Sequence, residues 1–296
     1  MLKKWYIKRQ FSRFPAERSF EVPSSEQAIA LAHVRRIIFT TTEFFYSGLP
    51  LVRQFFAVED QTMATKERVL QLAASLANSS KRPVLRAISQ AAVEAGQPIR
   101  EVEVDAISPR GVTAKLDRTW YVLGDEDAMQ VEGIELGMSI QTLIRQFERE
   151  GKYTIFLAQR NPKRLLGIFA CEYPIIPEGA ELVKEWEKLG LEIVLLSEAK
   201  TAFARSVGKQ LGISLVHSEL TPIEKQGIIN DLATQTPASA ILVKPRSNLK
   251  APLRIIYGEK NGKSISIEDL EGLSEAIKAA RELVKKVHKR IFWSRL

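Results

Sequence analysis

Cysteine and histidine are nearly missing from this chain: one cysteine and three scattered histidines stand among 296 residues. An intramolecular disulfide is excluded, and no spacing suits a zinc site. Cys171 falls in an apolar strand and reads as core. Long apolar runs are missing too. The longest, such as LLGIFACEYPII and LEIVLLS, fall short of the roughly 20 residues that cross a bilayer. The opening stretch, MLKKWYIKRQFSRF, has the positive charge of a signal peptide but no apolar segment or small-residue cleavage site after it, so a cytoplasmic protein is expected.

What is present is an apolar content of 45%, enough for a sizeable core in two domains. The formal charge of +8 raises nucleic acid or an acidic membrane surface as partners. No nucleic-acid recognition module is visible, so nucleic acid ranks lower. The cations crowd the two ends. Lys3, Lys4, Lys8, Arg9, Arg13 and Arg18 stand at one, and Lys278, Arg281, Lys285, Lys286, Lys289, Arg290 and Arg295 at the other. Beside them, Trp5, Tyr6, Phe11, Phe14, Phe292 and Trp293 read either as a staple holding the arms to the domain or as interfacial anchors.

Along the chain, residues 1–24 read as a basic arm. SSEQAIALAHV has a serine cap and helical spacing, and the buried strand Val34–Phe39 follows it. From Pro50 the grammar is α+β: a helix pair, the strands VEVDAIS, GVTAKLD and TWYVLG, then the helix SIQTLIRQFEREG. The polar breaker Arg160–Lys163 reads as a hinge. From Leu165, strands RLLGIFA, EIVLLS, SLVHS and SAILVK alternate with helices, which implies a doubly wound parallel sheet. The early strand finds its place in that sheet. Residues 25–49 and 161–270 thus form one α/β domain, 50–160 an inserted α+β domain, and 271–296 a basic helix with Leu273, Ile277, Ala280, Val284 and Val287 on its apolar face.

SEQAIALAHVRRIIF is similar to the segment before the phosphorylated aspartate of P-type ATPases. GVTAKLDRTWYVLG is similar to their nucleotide-domain hairpin, IIPEGAELVKEWEKLGLEIVLLS to the strand–helix–strand after the hinge, LTPIEKQGIINDL to the Leu-x-Pro-x-x-Lys helix, and RIFW to the approach to the next transmembrane helix. From Ser25 to Trp293 the chain therefore resembles the cytoplasmic phosphorylation and nucleotide-binding domains of that family, most like the heavy-metal-transporting branch. The resemblance implies a haloacid-dehalogenase-like fold, with ATP and Mg²⁺ as cofactors.

The chain departs from the family at the positions that carry chemistry. Where the family has Asp-Lys-Thr-Gly-Thr, this sequence has Thr40, Thr41, Thr42, Glu43 and Phe44, so Thr40 stands at the nucleophile position. A threonine hydroxyl is protonated at neutral pH and needs an adjacent base to attack phosphorus. The Mg²⁺ loop Gly-Asp-Gly-x-Asn-Asp becomes Lys244, Pro245, Arg246, Ser247, Asn248 and Leu249, with Pro245 and Leu249 in place of the aspartates. A hard dication needs anionic oxygens. Thr-Gly-Asp becomes Ser197, Glu198 and Ala199, while Lys225 and Asn248 match. In the insert, the His-Pro pair that contacts adenine becomes Arg82 and Pro83, one glycine of the nucleotide loop remains as Gly111, and Gly124 matches.

Ser197, Lys225 and Asn248 have two readings: capping, turn or surface residues, or a metal-free anion pocket completed by Lys200, Lys244 and Arg246. The function expected is a catalytically silent, soluble binding or regulatory module with no cofactor. Its expected partner is a protein, with a membrane transporter as one candidate, or an anionic membrane surface met through residues 1–19 and 285–296. The competing reading is an ATP-binding hydrolase with residual phosphatase or ATPase activity.

Overall fold

The computed structural model describes residues 11, 19–58 and 62–293, with no side chain described at 64 or at 290–293. The expectations for Trp5, Tyr6, Phe14 and the side chains of Phe292 and Trp293 lie outside the described residues. The chain begins with β1 (Phe20–Glu21), α1 (Ser25–Ala32) and β2 (Arg36–Phe39). Then come β3 (Leu51–Ala57), α2 (Met63–Ala77), α3 (Pro83–Glu94), β4 (Glu103–Ile107), β5 (Gly111–Leu116), β6 (Thr119–Gly124), α4 (Glu126–Val131), α5 (Met138–Arg149), β7 (Lys152–Gln159) and β8 (Arg164–Glu172). It closes with α6 (Gly179–Lys188), β9 (Glu192–Leu196), α7 (Thr201–Leu211), β10 (Leu215–His217), α8 (Pro222–Gln235), β11 (Ser239–Val243), β12 (Leu253–Tyr257), β13 (Ile265–Ile267) and α9 (Leu270–Trp293). Met1–Phe45 with Pro177–Leu296 make one compact unit, and Tyr46–Ile176 make the other.

The first unit holds a sheet ordered β1-β13-β12-β11-β2-β9-β10, parallel except where β1 meets β13. Every residue of β2 and β11 is buried. Side chains alternate across the sheet: Ile38, Val194 and Ile241 cluster with Ile229 of α8 on one face, while Phe39 stacks on Trp186 of α6 at 5.3 Å. The indole of Trp186 donates to Ser274 Oγ at 2.9 Å, tying α6 to α9. From β2 the chain proceeds to β9 and β10 on one side, then to β11, β12 and β13 on the other. The carboxyl end of β2 is therefore the switch point at which parallel α/β sheets bind ligands.

The second unit is an antiparallel sheet ordered β3-β8-β7-β6-β5-β4. Its core lies in two clusters, one including Ala73, Leu76, Leu85 and Ile88 of α2 and α3, the other Met129 of α4 and Ile144 of α5.

Several expectations are corrected. Arg160–Lys163 is the turn of the β7–β8 hairpin and not a hinge, and RLLGIFA belongs to the antiparallel sheet. The boundaries accordingly fall after Phe45 and Ile176. The misreading has a physical source. Phe169 and Cys171 of β8 face one apolar cluster and Leu165 and Ile168 the other, so the strand is buried on both faces and reads like a parallel one. Phe20–Glu21 of the expected arm is an edge strand, and β12 and β13 extend the sheet where no strand was expected. On α9 the buried stripe is Leu273, Ile277, Ala280, Leu283 and Val287, with Val284 only half-buried.

Candidate functional site

At the switch point, β2 runs out of Phe39 into Thr40 and a single 3₁₀ turn, Thr42–Phe45. Aromatic packing fixes that turn: Phe39 lies 4.8 Å from Phe45, and Phe44 lies 5.2 Å from Tyr257 of β12. Such pairs add stability beyond the area they bury. Thr42 is buried beside them. The buried Thr40 hydroxyl donates to the Leu242 carbonyl at 2.8 Å, and the Thr40 amide reaches the same oxygen at 3.4 Å. This threonine extends the β2–β11 ladder past the strand's end, and its hydroxyl is spent on the backbone.

Lys225 comes from the first turns of α8, whose start is set by a capping box of Thr221 and Glu224 and by Pro222. It is 5% exposed. Its ammonium donates to the Thr40 carbonyl at 2.9 Å and to Glu198 Oε1 at 3.0 Å. Ser197 is buried, and its hydroxyl accepts from the Ala199 amide at 3.1 Å, shaping the turn that presents Glu198. Lys244, at the end of β11, pairs with Glu43 of the aromatic turn, and partial burial lowers its pKa. Pro245, Arg246 and Asn248 are exposed, as is Lys200 ahead of α7. Leu249 packs against the apolar cluster under the sheet.

Mg²⁺ does not fit this edge. Its carboxylates, Glu43 and Glu198, are each held by a lysine, and Lys244 and Arg246 add positive charge where the cation would sit. Among the described residues no group of three or more His, Cys, Asp or Glu side chains could hold a metal ion. Of the six anion-pocket candidates, Lys225 and the Ser197 turn converge under Thr40. Lys225 and Lys244 are neutralised locally, and Lys200, Arg246 and Asn248 stand at the surface. Sequence reasoning missed the roles of Glu43 and Glu198. The available signal was a carboxylate within each loop that supplies a motif position.

In the second unit, Arg82 precedes α3, with Pro83 at its first turn. Its guanidinium lies 3.4 Å from the Tyr153 hydroxyl and 3.5 Å from Asp125 Oδ2, and its buried Nη1 has no hydrogen-bond partner among the described residues. Asp125 is 6% exposed; it caps α4 through the Ala128 amide and accepts from Tyr153 at 3.1 Å. Burial, and then the Asp125 charge, push the Tyr153 hydroxyl up to about 12. Gly111 and Gly124 face each other across β5 and β6. A Cβ on Gly111 would lie 2.4 Å from the Leu123 carbonyl oxygen, and one on Gly124 would lie 2.5 Å from Ala128 Cβ. Close strand and helix packing thus requires both glycines. The imidazole that the resemblance sets against adenine has no counterpart here, since its position holds a guanidinium tied to a phenol and a carboxylate.

No family model matches the chain. Copper-exporting P-type ATPases of two Staphylococcus aureus strains, MRSA252 and bovine RF122 / ET3-1, are each 25% identical to it over 272 residues, covering 87% of this chain. The chain spans 32% of the length of those relatives. A zinc-transporting PIB-type ATPase in its E2·Pi state superposes with a TM-score of 0.75 at 19% identity, over 98% of this chain and 48% of that one. The catalytic CPx-ATPase domain CopB-B superposes with a TM-score of 0.64 at 19% identity, over 93% of this chain and 98% of that one. Among the described residues no helix is long and apolar enough to cross a membrane. The chain shares the fold of these metal-ATPase catalytic domains, and by sequence it is homologous to the cytoplasmic domains of copper-exporting P-type ATPases.

Proposed function

We propose that this chain is a catalytically silent counterpart of those domains and acts by binding rather than by phosphoryl transfer. One observation carries the reading: the groups at the sheet's switch point are committed to one another. The Thr40 hydroxyl is bonded to Leu242, Lys225 to Thr40 and Glu198, and Lys244 to Glu43. Phosphoryl transfer needs an ionised or activated nucleophile and a metal to neutralise charge on the phosphoryl oxygens. The Thr40 hydroxyl is already donated to the Leu242 carbonyl, and the Lys244–Leu249 loop contains no carboxylate. A regulatory role beside a metal-transporting ATPase agrees with the homology, and the exposed Lys285, Lys286 and Lys289 agree with contact to an anionic surface.

Hydrolysis of ATP and of p-nitrophenyl phosphate, with and without Mg²⁺, tests this for the full chain and for Lys225→Ala. The expected result is no turnover above the buffer rate in either protein. Mg²⁺-dependent turnover that Lys225→Ala abolishes overturns it.

A further inference from the structure

A groove of about 470 Å³ lies where the carboxyl end of α1 meets α9. It is lined by half-buried Ala32, Arg281 and Val284 and by exposed His33, Lys285, His288 and Lys289. Among the described residues, two of the chain's three histidines and three cations line one cavity, with no carboxylate beside them in the lining. The volume falls within the range of small-ligand sites, on the order of 300–1,000 Å³.

Packing alone does not account for this column of charge. Arg281 is the structural member of the column, because its guanidinium donates to the carbonyls of Ala32, Val34 and Leu189 at 3.3, 3.2 and 2.5 Å and so covers the chain end of α1 and of α6. It thereby masks the carbonyls that would otherwise repel an anion at this end of the groove. Lys285 and Lys289 continue the same face of α9 at i+4 and i+8, and like charges at that spacing destabilise a helix. The helix dipole offsets cations only within the last turn, and α9 continues to Trp293. On a neighbouring face Lys286 is paired with Glu282 at 2.6 Å. His33 Nδ1 lies 2.7 Å from the Ile29 carbonyl, which orients the ring.

We propose that this groove is a binding site for a phosphate-bearing anion. The compact phosphate oxygens take hydrogen bonds from the lysine ammonium groups and from an imidazole ring N–H, while Val284 and Ala32 accept an apolar portion of the ligand. Either free phosphate or an anionic lipid headgroup supplies this chemistry.

The test uses the full chain and two probes. Inorganic phosphate is followed by calorimetry, and vesicles of phosphatidylcholine with phosphatidic acid are followed by co-sedimentation, against phosphatidylcholine alone. The variant is Lys285→Glu with Lys289→Glu. Its charge-matched control is Lys184→Glu with Lys209→Glu, at exposed lysines of α6 and α7. Losing two charge-assisted contacts should weaken binding by more than about tenfold, whereas the control should change it less than about twofold, as expected for distant screened charges. Binding of inorganic phosphate assigns the site to a soluble anion, and binding of the phosphatidic acid vesicles alone assigns it to a lipid headgroup. Binding of neither probe, or an equal loss in both variants, overturns the proposal.

Discussion

Along β2 and β11 every side chain is buried, whereas the loops leaving the carboxyl ends of β2, β9 and β11 carry Glu43, Glu198, Lys244 and Arg246 in the open. Strands and loops answer to different requirements. The strands must keep apolar residues alternating onto two covered faces, so Ile38 and Ile241 meet α8 while Phe39 meets Trp186. The loops need only satisfy their own charges, which they do through Lys225–Glu198 and Lys244–Glu43. A fold can thus persist while the residues at its edge change, because function resides in the site and not in the scaffold.

The largest effect is expected where the two regions join. Phe45→Ala removes a fully buried ring from the cluster with Phe39 and Trp186 and should cost about 3–5 kcal/mol in urea unfolding. A loss below about 1 kcal/mol would mean that the turn is not anchored by its aromatics.

A second expectation contrasts a buried polar network with the exposed pairs. Tyr153 keeps its proton up to about pH 12 in the folded state, while the unfolded chain loses it near the ordinary phenol value of about 10. Its contribution is therefore complete below about pH 10 and is lost as pH rises towards about 12, on the order of 2–3 kcal/mol. Tyrosinate absorbance during titration checks this. Ionisation of Tyr153 at its ordinary value, identified by difference against Tyr153→Phe, would contradict it.

Smaller losses are expected at the loops. Lys225→Met leaves the Thr40 carbonyl without its ammonium partner and should cost about 1–2 kcal/mol. Glu43→Gln, which breaks a half-exposed pair, should cost less than about 1 kcal/mol. Equal losses in the two would show that the buried and exposed pairs do not differ as their burial implies.

Much of the scaffold was legible because β2, β9, β11 and their helices alternate as parallel sheets do. The RIIF–TTTEFF sequence also located the end of β2. β8 was misplaced because burial on both faces removes the alternation that marks an antiparallel strand, and β13 has only three residues. At the site, the absence of aspartates was legible, but the pairing of Lys244 with Glu43 across 201 positions was not. The groove was hidden for the same reason, since His33 and Lys285 come together only when α1 packs on α9.

The switch-point chemistry is tested most directly by incubating the chain with Mg²⁺ and γ-labelled ATP, then measuring label retained on the protein after acid quench. Wild type should retain none, and Thr40→Asp should retain none either, because Pro245 and Leu249 still stand where a metal-binding loop needs carboxylates. Label on the wild-type chain, or on Thr40→Asp alone, would contradict a site closed by its own ion pairs.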